Sequence, residues 1–283
     1  MEPRAFGLGE LPGTDMVQAA DVVVSESLLP HIPQLPERGI GSDLVGRTAA
    51  LLDIPIDRGP RGWRVASQHR GARDQMARDL DVLEECWGSV AEVKVQLVGP
   101  WTLAAEVETR HGHRMITDPG ALRDVTEALL EATRAHRAEV EKRFGAVTVL
   151  QLDEPRLEDI MRGRLTGPTR YHDIPAVPEP LERLEAFGPH LLHTPALIDA
   201  PWLTVDIATI DTPAEKDAVA RLVDSGTRLA VAPVEPKQLW RFFEQLQIDP
   251  AGVELDVWAR PADTLLDAAR AYAAAREMAE GLR

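Results

Sequence analysis

Four short apolar runs in the second half of the chain are spaced so that a helix or a tight link fits between each and the next. HLLHT (190–194), LTVDI (203–207), RLAVA (228–232) and VELDV (253–257) have the length and content of buried strands. Helical stretches Pro213–Asp224, Pro236–Leu246 and Pro261–Leu282 follow the last three. A proline in the first helical turn loses no hydrogen bond, so each of these prolines marks a start. Strands that alternate with helices pair in parallel, because the crossover returns the chain to the same end of the sheet. The first half continues the pattern. Arg4–Leu8, Gly62–Ala66, Val93–Val98 and Thr148–Leu152 read as strands. Helices are expected after Thr14 or Asp15, from Ser42 or Asp43 through Leu52, from Ala72 to Trp87, and from Asp118-Pro119 to about Arg143, before Gly145. About eight strands in βα order within 283 residues predict an α/β protein, a (β/α)8 TIM barrel forming a single domain over residues 1–283. An open doubly wound sheet is the alternative, but Gly7 and Gly9 run into Leu11, Pro12 and Gly13 rather than completing a dinucleotide fingerprint. The stretch PHIPQLPERGIG (30–41) carries three prolines and is no helix; it reads as an irregular barrel strand or a loop across the barrel mouth.

Charge narrows the partners. A net charge of −15 opposes binding to nucleic acid or to an anionic membrane surface, both of which need a basic face. The single cysteine, Cys86, excludes an internal disulfide and a cysteine-rich zinc module, and it reads as a small packed side chain beside the stripe Met76, Leu80, Leu83 and Trp87. No apolar run reaches transmembrane length and MEPRAFGLGE has no signal-peptide core, so a cytoplasmic protein is expected.

The chemistry falls at strand ends. In TVLQLDEPRL (148–157), Asp153 and Glu154 stand between a strand and a proline-started helix. Side chains alternate along a strand, so if Leu150 and Leu152 face helices, Val149, Gln151 and Asp153 face inward. The same rule gives Lys94, Gln96, His193, Thr204, Asp206, Glu254 and Asp256 as inward polar groups. Strand C-termini carry the functional groups of such barrels. Helix capping by the carboxylates and ion pairing by Lys94 are the structural alternatives. No nucleophile elbow or phosphate loop is present. His193, Asp206 and Asp256 offer one nitrogen and two carboxylates, a set suited to a hard metal, against the reading that no metal binds. His136 is placed on a helix surface or groove, and the Gly- and Pro-rich stretch 163–180 reads as a functional loop.

Three segments carry a family likeness. AFGLGELPGTD (5–15), KVQLVGPWTL (94–103) and LQLDEPRL (150–157) together resemble the cobalamin-independent methionine synthase family, in particular short single barrels related to its C-terminal catalytic domain. The resemblance covers nearly all of the chain. It implies a barrel distantly related to uroporphyrinogen decarboxylase that moves a methyl group from methyl-tetrahydrofolate to the homocysteine thiol, with a zinc ion that binds the thiol and lowers its pKa. On that footing Asp153 holds the substrate amino group, and Gly9 and Glu10 form the turn facing the substrate carboxylate, with Glu10 where the family has a serine. Gln151, Glu154, Lys94 and Trp101 complete the expected substrate contacts, with Trp101 and Trp63 offering faces for a pterin. His193 and Asp206 are the remnant of the zinc site, and Asp153 and His193 the catalytic pair. Both family cysteines are missing, since His193 leads into Thr194-Pro195 and Asp256 into Val257-Trp258. The family's acid/base histidine is absent from AVAPVEP (230–236). Two functions follow from this resemblance: a methionine-synthase-like methyltransferase with a degenerate zinc site, or a non-catalytic barrel that binds an amino acid or thiol. A metal-free decarboxylase-like barrel is a distant third.

Overall fold

Parallel pairing, the expectation from strand–helix alternation, holds throughout the main sheet. The computed structural model describes residues 2–67, 72–167 and 174–282; part of the loop 163–180 therefore lies outside the described residues. In chain order the strands are β1 (Ala5–Gly7), β2 (Ile56–Gly59), β3 (Gly62–Val65), β4 (Glu92–Val98), β5 (Val107–Glu108), β6 (Val147–Asp153), β7 (Leu191–His193), β8 (Trp202–Val205), β9 (Arg228–Val231) and β10 (Leu255–Ala259). The helices are α1 (Met16–Glu26), α2 (Leu44–Ala49), α3 (Ala72–Trp87), α4 (Pro100–Glu106), α5 (Pro119–Phe144), α6 (Leu157–Met161), α7 (Leu181–Glu185), α8 (Pro213–Asp224), α9 (Pro236–Gln245) and α10 (Leu265–Gly281). Seven strands make one curled parallel sheet in the order β1-β10-β9-β8-β7-β6-β4. Residues of one parity on these strands, such as Ala5, Leu229, Val231 and Val257, join the helices in the main core. Those of the other parity, Phe6, Leu191, Ala230 and Trp258, form a second apolar cluster with Leu29. Burying each such large side chain contributes about 1.5–3 kcal/mol before chain entropy is set against it.

Two departures from the expected barrel have local causes. The sheet does not close as eight strands. Between the edges β1 and β4 runs the proline-rich segment. On one side, Leu29 N donates to Ala5 O (3.0 Å) and Gln34 N to Gly9 O (2.9 Å). On the other, Lys94 N donates to Pro30 O (2.7 Å) and Ile32 N to Lys94 O (3.1 Å). Pro30 and Pro33 have no N–H, so the segment makes isolated bridges rather than a ladder. The second departure is GWRVA. Its residues form β3, which pairs antiparallel with β2 through the two-residue connection Pro60-Arg61 and parallel with β5, in a separate three-stranded sheet. A hairpin closes over a short loop, and that local pairing takes β3 out of the main sheet.

Smaller expectations also shift. His136 is buried rather than in a surface groove, and burial pulls its imidazole down to about 4. Cys86 is exposed rather than packed. The last helix begins at Leu265 with Thr264 as its cap, not at Pro261. Among the described residues, no helix is long and apolar enough to cross a membrane.

Candidate functional site

Asp153 ends β6, His193 ends β7, and the two are paired in register. Both line a cavity of about 200 Å3 at the C-terminal ends of the strands, together with Leu8, Glu10, Gln34, Arg260 and Tyr272. Asp153 is held from below. The Gln151 amide donates to Asp153 Oδ1 (2.6 Å) and to Leu8 O (2.7 Å), and its oxygen accepts from Lys94 Nζ (2.5 Å). Lys94 is fully buried, with its ammonium 5.6 Å from the centre of the Phe6 ring. Burial pushes the Asp153 carboxyl up, against the Gln151 bond and the Lys94 charge, and it pulls Lys94 down. Each shift runs toward the neutral form, as desolvation of a buried pair requires.

Glu10 follows the turn after β1, and its carboxyl is raised first by burial and then by the charge of Asp43. Gly9, just before it, has φ +134°, and a Cβ there would lie 2.8 Å from Gln96 Nε2, so the turn needs glycine twice over. Gln96 itself donates to Ile32 O.

Glu154 and Trp101 are placed away from this cavity. The Glu154 side chain turns back to the start of α4. Its two carboxylate oxygens accept from Trp101 N (2.9 Å) and Thr102 N (2.7 Å), two of the N–H groups a helix leaves unpaired at its start. Gly99 leaves the room for it, since a Cβ there would overlap the Glu154 carboxyl. Burial raises Glu154 to about 7 even against these bonds. The Trp101 ring packs under Arg183, and its indole N–H donates to Pro180 O (2.9 Å). GPWT and LDEP therefore interlock as a helix cap, the structural alternative for this carboxylate. Trp63 stands in the wall of a different cavity, with Arg38, Arg73 and Arg78.

His193 Nδ1 is 2.9 Å from Thr204 Oγ1, and burial, then the Lys94 charge, pulls its imidazole down to about 4. The ring is neutral at pH 7. Asp206, expected beside it as a metal ligand, is instead gripped by Arg260, with Nη1 to Oδ2 at 2.6 Å and Nη2 to Oδ1 at 2.9 Å. Among the described residues, no group of three or more His, Cys, Asp or Glu side chains converges as a metal site. Asp256 is not at this end at all. It is the second residue of β10 and forks onto Arg228, the first residue of β9, at 2.5 and 2.6 Å, while accepting from Arg4 N (2.7 Å). Glu254 lies before β10, among surface residues of that same opposite end. Alternation predicts the face on which a side chain stands but not its height along the strand. Arg260 and Tyr272 line the cavity beyond the residues expected from the sequence. Arg260 is a strand-end residue, in VWARP, and the strand-end rule reaches it if the last helix is not begun at Pro261. Tyr272 is on α10, where helical periodicity marks it only as core. Its hydroxyl meets His31 Nε2 at 3.0 Å, passing so close to Gly7 that a Cβ there would overlap it.

No protein-family model and no curated protein matches the chain. Solved structures do. A methyltransferase from Methanosarcina mazei superposes with a TM-score of 0.52 and 14% identity, over 93% of this chain and 83% of that one. A protein from Listeria monocytogenes described as a "putative vitamin-B12 independent methionine synthase" does so with a TM-score of 0.50 and 12% identity, over 98% and 99%. The likeness is one of fold, and the second neighbour bears the name of the family whose motifs the sequence resembles.

Proposed function

We propose that the chain is a methionine-synthase-like methyltransferase whose cavity holds a small amino acid or thiol as methyl acceptor, without the thiolate-bound zinc of that family. The observation that carries this reading is the shared wall of Asp153 and His193 in a cavity of about 200 Å3. That volume is below the range usual for drug-sized ligands and suits a small metabolite. Asp153, oriented by Gln151, is the group for the acceptor's ammonium. The two fold neighbours, one a methyltransferase, support methyl transfer as the reaction class. Methyl-tetrahydrofolate is the donor this reading names, by the motif resemblance alone.

The donor set does not suit zinc. Both Asp206 oxygens face a guanidinium, which repels a cation, and His193 has no cysteine to join it. Nor is His193 a strong base. An imidazole at about 4 stands several pH units below a free thiol, so it serves as a neutral hydrogen-bonding partner rather than as the group that ionises the acceptor. That weakness favours the second reading, a barrel that binds an amino acid or thiol without transferring a methyl group. Incubation with methyl-tetrahydrofolate and homocysteine, with and without a chelator, separates the two. Methionine formed in both samples is the expected result. Formation that needs added zinc overturns the zinc-free reading, and no transfer alongside calorimetric binding of methionine favours the binding protein.

A further inference from the structure

We propose that Arg260 is the carboxylate-recognising residue of the cavity, so that the ligand lies between Asp153 at its ammonium end and Arg260 at its carboxylate end. The inference rests on the amino-acid reading above and adds the group that selects for the acid. Among the described lining residues Arg260 is the one arginine or lysine, since Lys94 lies beneath Asp153, outside the wall. The guanidinium is also held in place before any ligand arrives. β9 separates β8 from β10, yet Arg260 reaches across it to both oxygens of Asp206. Asp206 is itself fixed by Ala208 N at 3.1 Å, and the Trp258 ring centre lies 5.9 Å from the guanidinium carbon.

A guanidinium has five N–H donors in a planar fork. Asp206 takes two, which leaves Nε–H and the outer hydrogens for a carboxylate. The side chain is 41% exposed, so the fork is not sealed behind its partner. The turn after β1 is the wrong place for an acid. Glu10 faces the cavity there, and a second carboxylate beside it is repelled. β1 and β10 are neighbours, with Gly7 opposite Ala259, so the loops bearing Glu10 and Arg260 are adjacent. The charges of these two loops therefore steer an acid to Arg260 and away from Glu10. Pre-positioned donors lower the ordering cost of binding, and replacing bidentate arginine by a neutral side chain removes charge-assisted hydrogen bonds.

The test titrates the purified chain with L-methionine and with 3-(methylthio)propylamine, the same molecule without its carboxylate, by calorimetry. Wild type is expected to bind methionine about tenfold or more tighter than the amine. Arg260→Gln is expected to bring the two affinities within about twofold by weakening methionine alone, the amine serving as the check on a folded cavity. Arg260→Lys, which keeps the charge without the fork, gives an intermediate ratio and covers the case in which the Gln variant does not fold. Equal affinities in wild type, or a parallel loss of both ligands in an Arg260→Gln or Arg260→Lys variant that keeps the wild-type circular dichroism spectrum, overturn the role of Arg260 and leave the amino-acid reading standing. Failure of wild type to bind either probe overturns both.

Discussion

Gly99 and Glu154 are predicted to be energetically one unit. Gly99 has φ −74° and ψ 167°, extended backbone that alanine adopts without strain. The obstacle to Gly99→Ala is the Glu154 carboxyl, which the new Cβ overlaps. To make room, the carboxyl leaves Trp101 N and Thr102 N. Above pH 7, where the Glu154 carboxyl is ionised, hydrogen bonds to it are worth about 1.5–3 kcal/mol each, so with partial relaxation Gly99→Ala costs about 3–5 kcal/mol. Glu154→Ala deletes the same two bonds and costs a similar amount. Because the bonds are lost only once, the double variant is about as stable as Glu154→Ala, and the second change even gains about 0.4–1 kcal/mol by stiffening the unfolded chain. The coupling is then about 3–5 kcal/mol, ten times the departure seen between independent sites. Urea unfolding followed by tryptophan fluorescence measures all four corners of the cycle. For a chain of this size each single variant melts about 10 °C below wild type. Penalties that simply add refute the interlock, as does a Gly99→Ala variant as stable as wild type.

Other consequences are as direct. Asp153→Asn is expected to weaken methionine binding by about 1.5–3 kcal/mol in calorimetry, and unchanged affinity removes Asp153 as the ammonium anchor. Arg228→Met strands the buried Asp256 carboxylate and is expected to cost about 3–5 kcal/mol in thermal unfolding, while the double change Arg228→Met with Asp256→Leu recovers most of it. His136 ionises at about 4 when folded and near 6.5 when unfolded, so the unfolded chain takes up its proton first. The stability it contributes is present above pH 6.5 and is lost as pH falls through 4, by about 3 kcal/mol at most. Urea midpoints of wild type and His136→Gln should diverge over that window in favour of the variant, and parallel curves exclude the effect.

Asp153 was legible in the sequence because two independent rules met on it: side-chain alternation in VLQLD gives its face, and the following proline marks the strand end. The parallel sheet was legible for the same reason, since each proline-started helix follows an apolar run. GWRVA carried a strand signal with nothing in it to say which sheet it joins. Asp256 carried the right face and the wrong end, because the start of a strand depends on its neighbours Arg4 and Arg228, far away in sequence. Glu154 looked like a site residue from its place beside Asp153. That its partners are the amides after Gly99 is a tertiary fact, visible only once β4 and β6 lie side by side. Arg260 is hidden by Pro261, which reads as a helix start although the helix begins only at Leu265, so the strand end that supplies the cavity's arginine looks like a helix boundary.

The segment between β1 and β4 gives this sheet a seam. Most neighbouring strands are laced by parallel ladders of three or more residue pairs, as β4 is to β6, although β7 and β8 meet only at Leu192 and Leu203; between β1 and β4 a few backbone bonds and prolines without N–H groups do the joining. Local opening follows the weakest lacing, so amide protons of Ile32, Gln34 and Lys94 should exchange with deuterium ahead of those in β6. A seam that parts also uncovers Lys94 and the Tyr272–His31 pair from the side rather than through the cavity, giving the interior its own route to solvent. The same prolines deny an incoming strand the donors it needs, so the seam can loosen without becoming a template for aggregation.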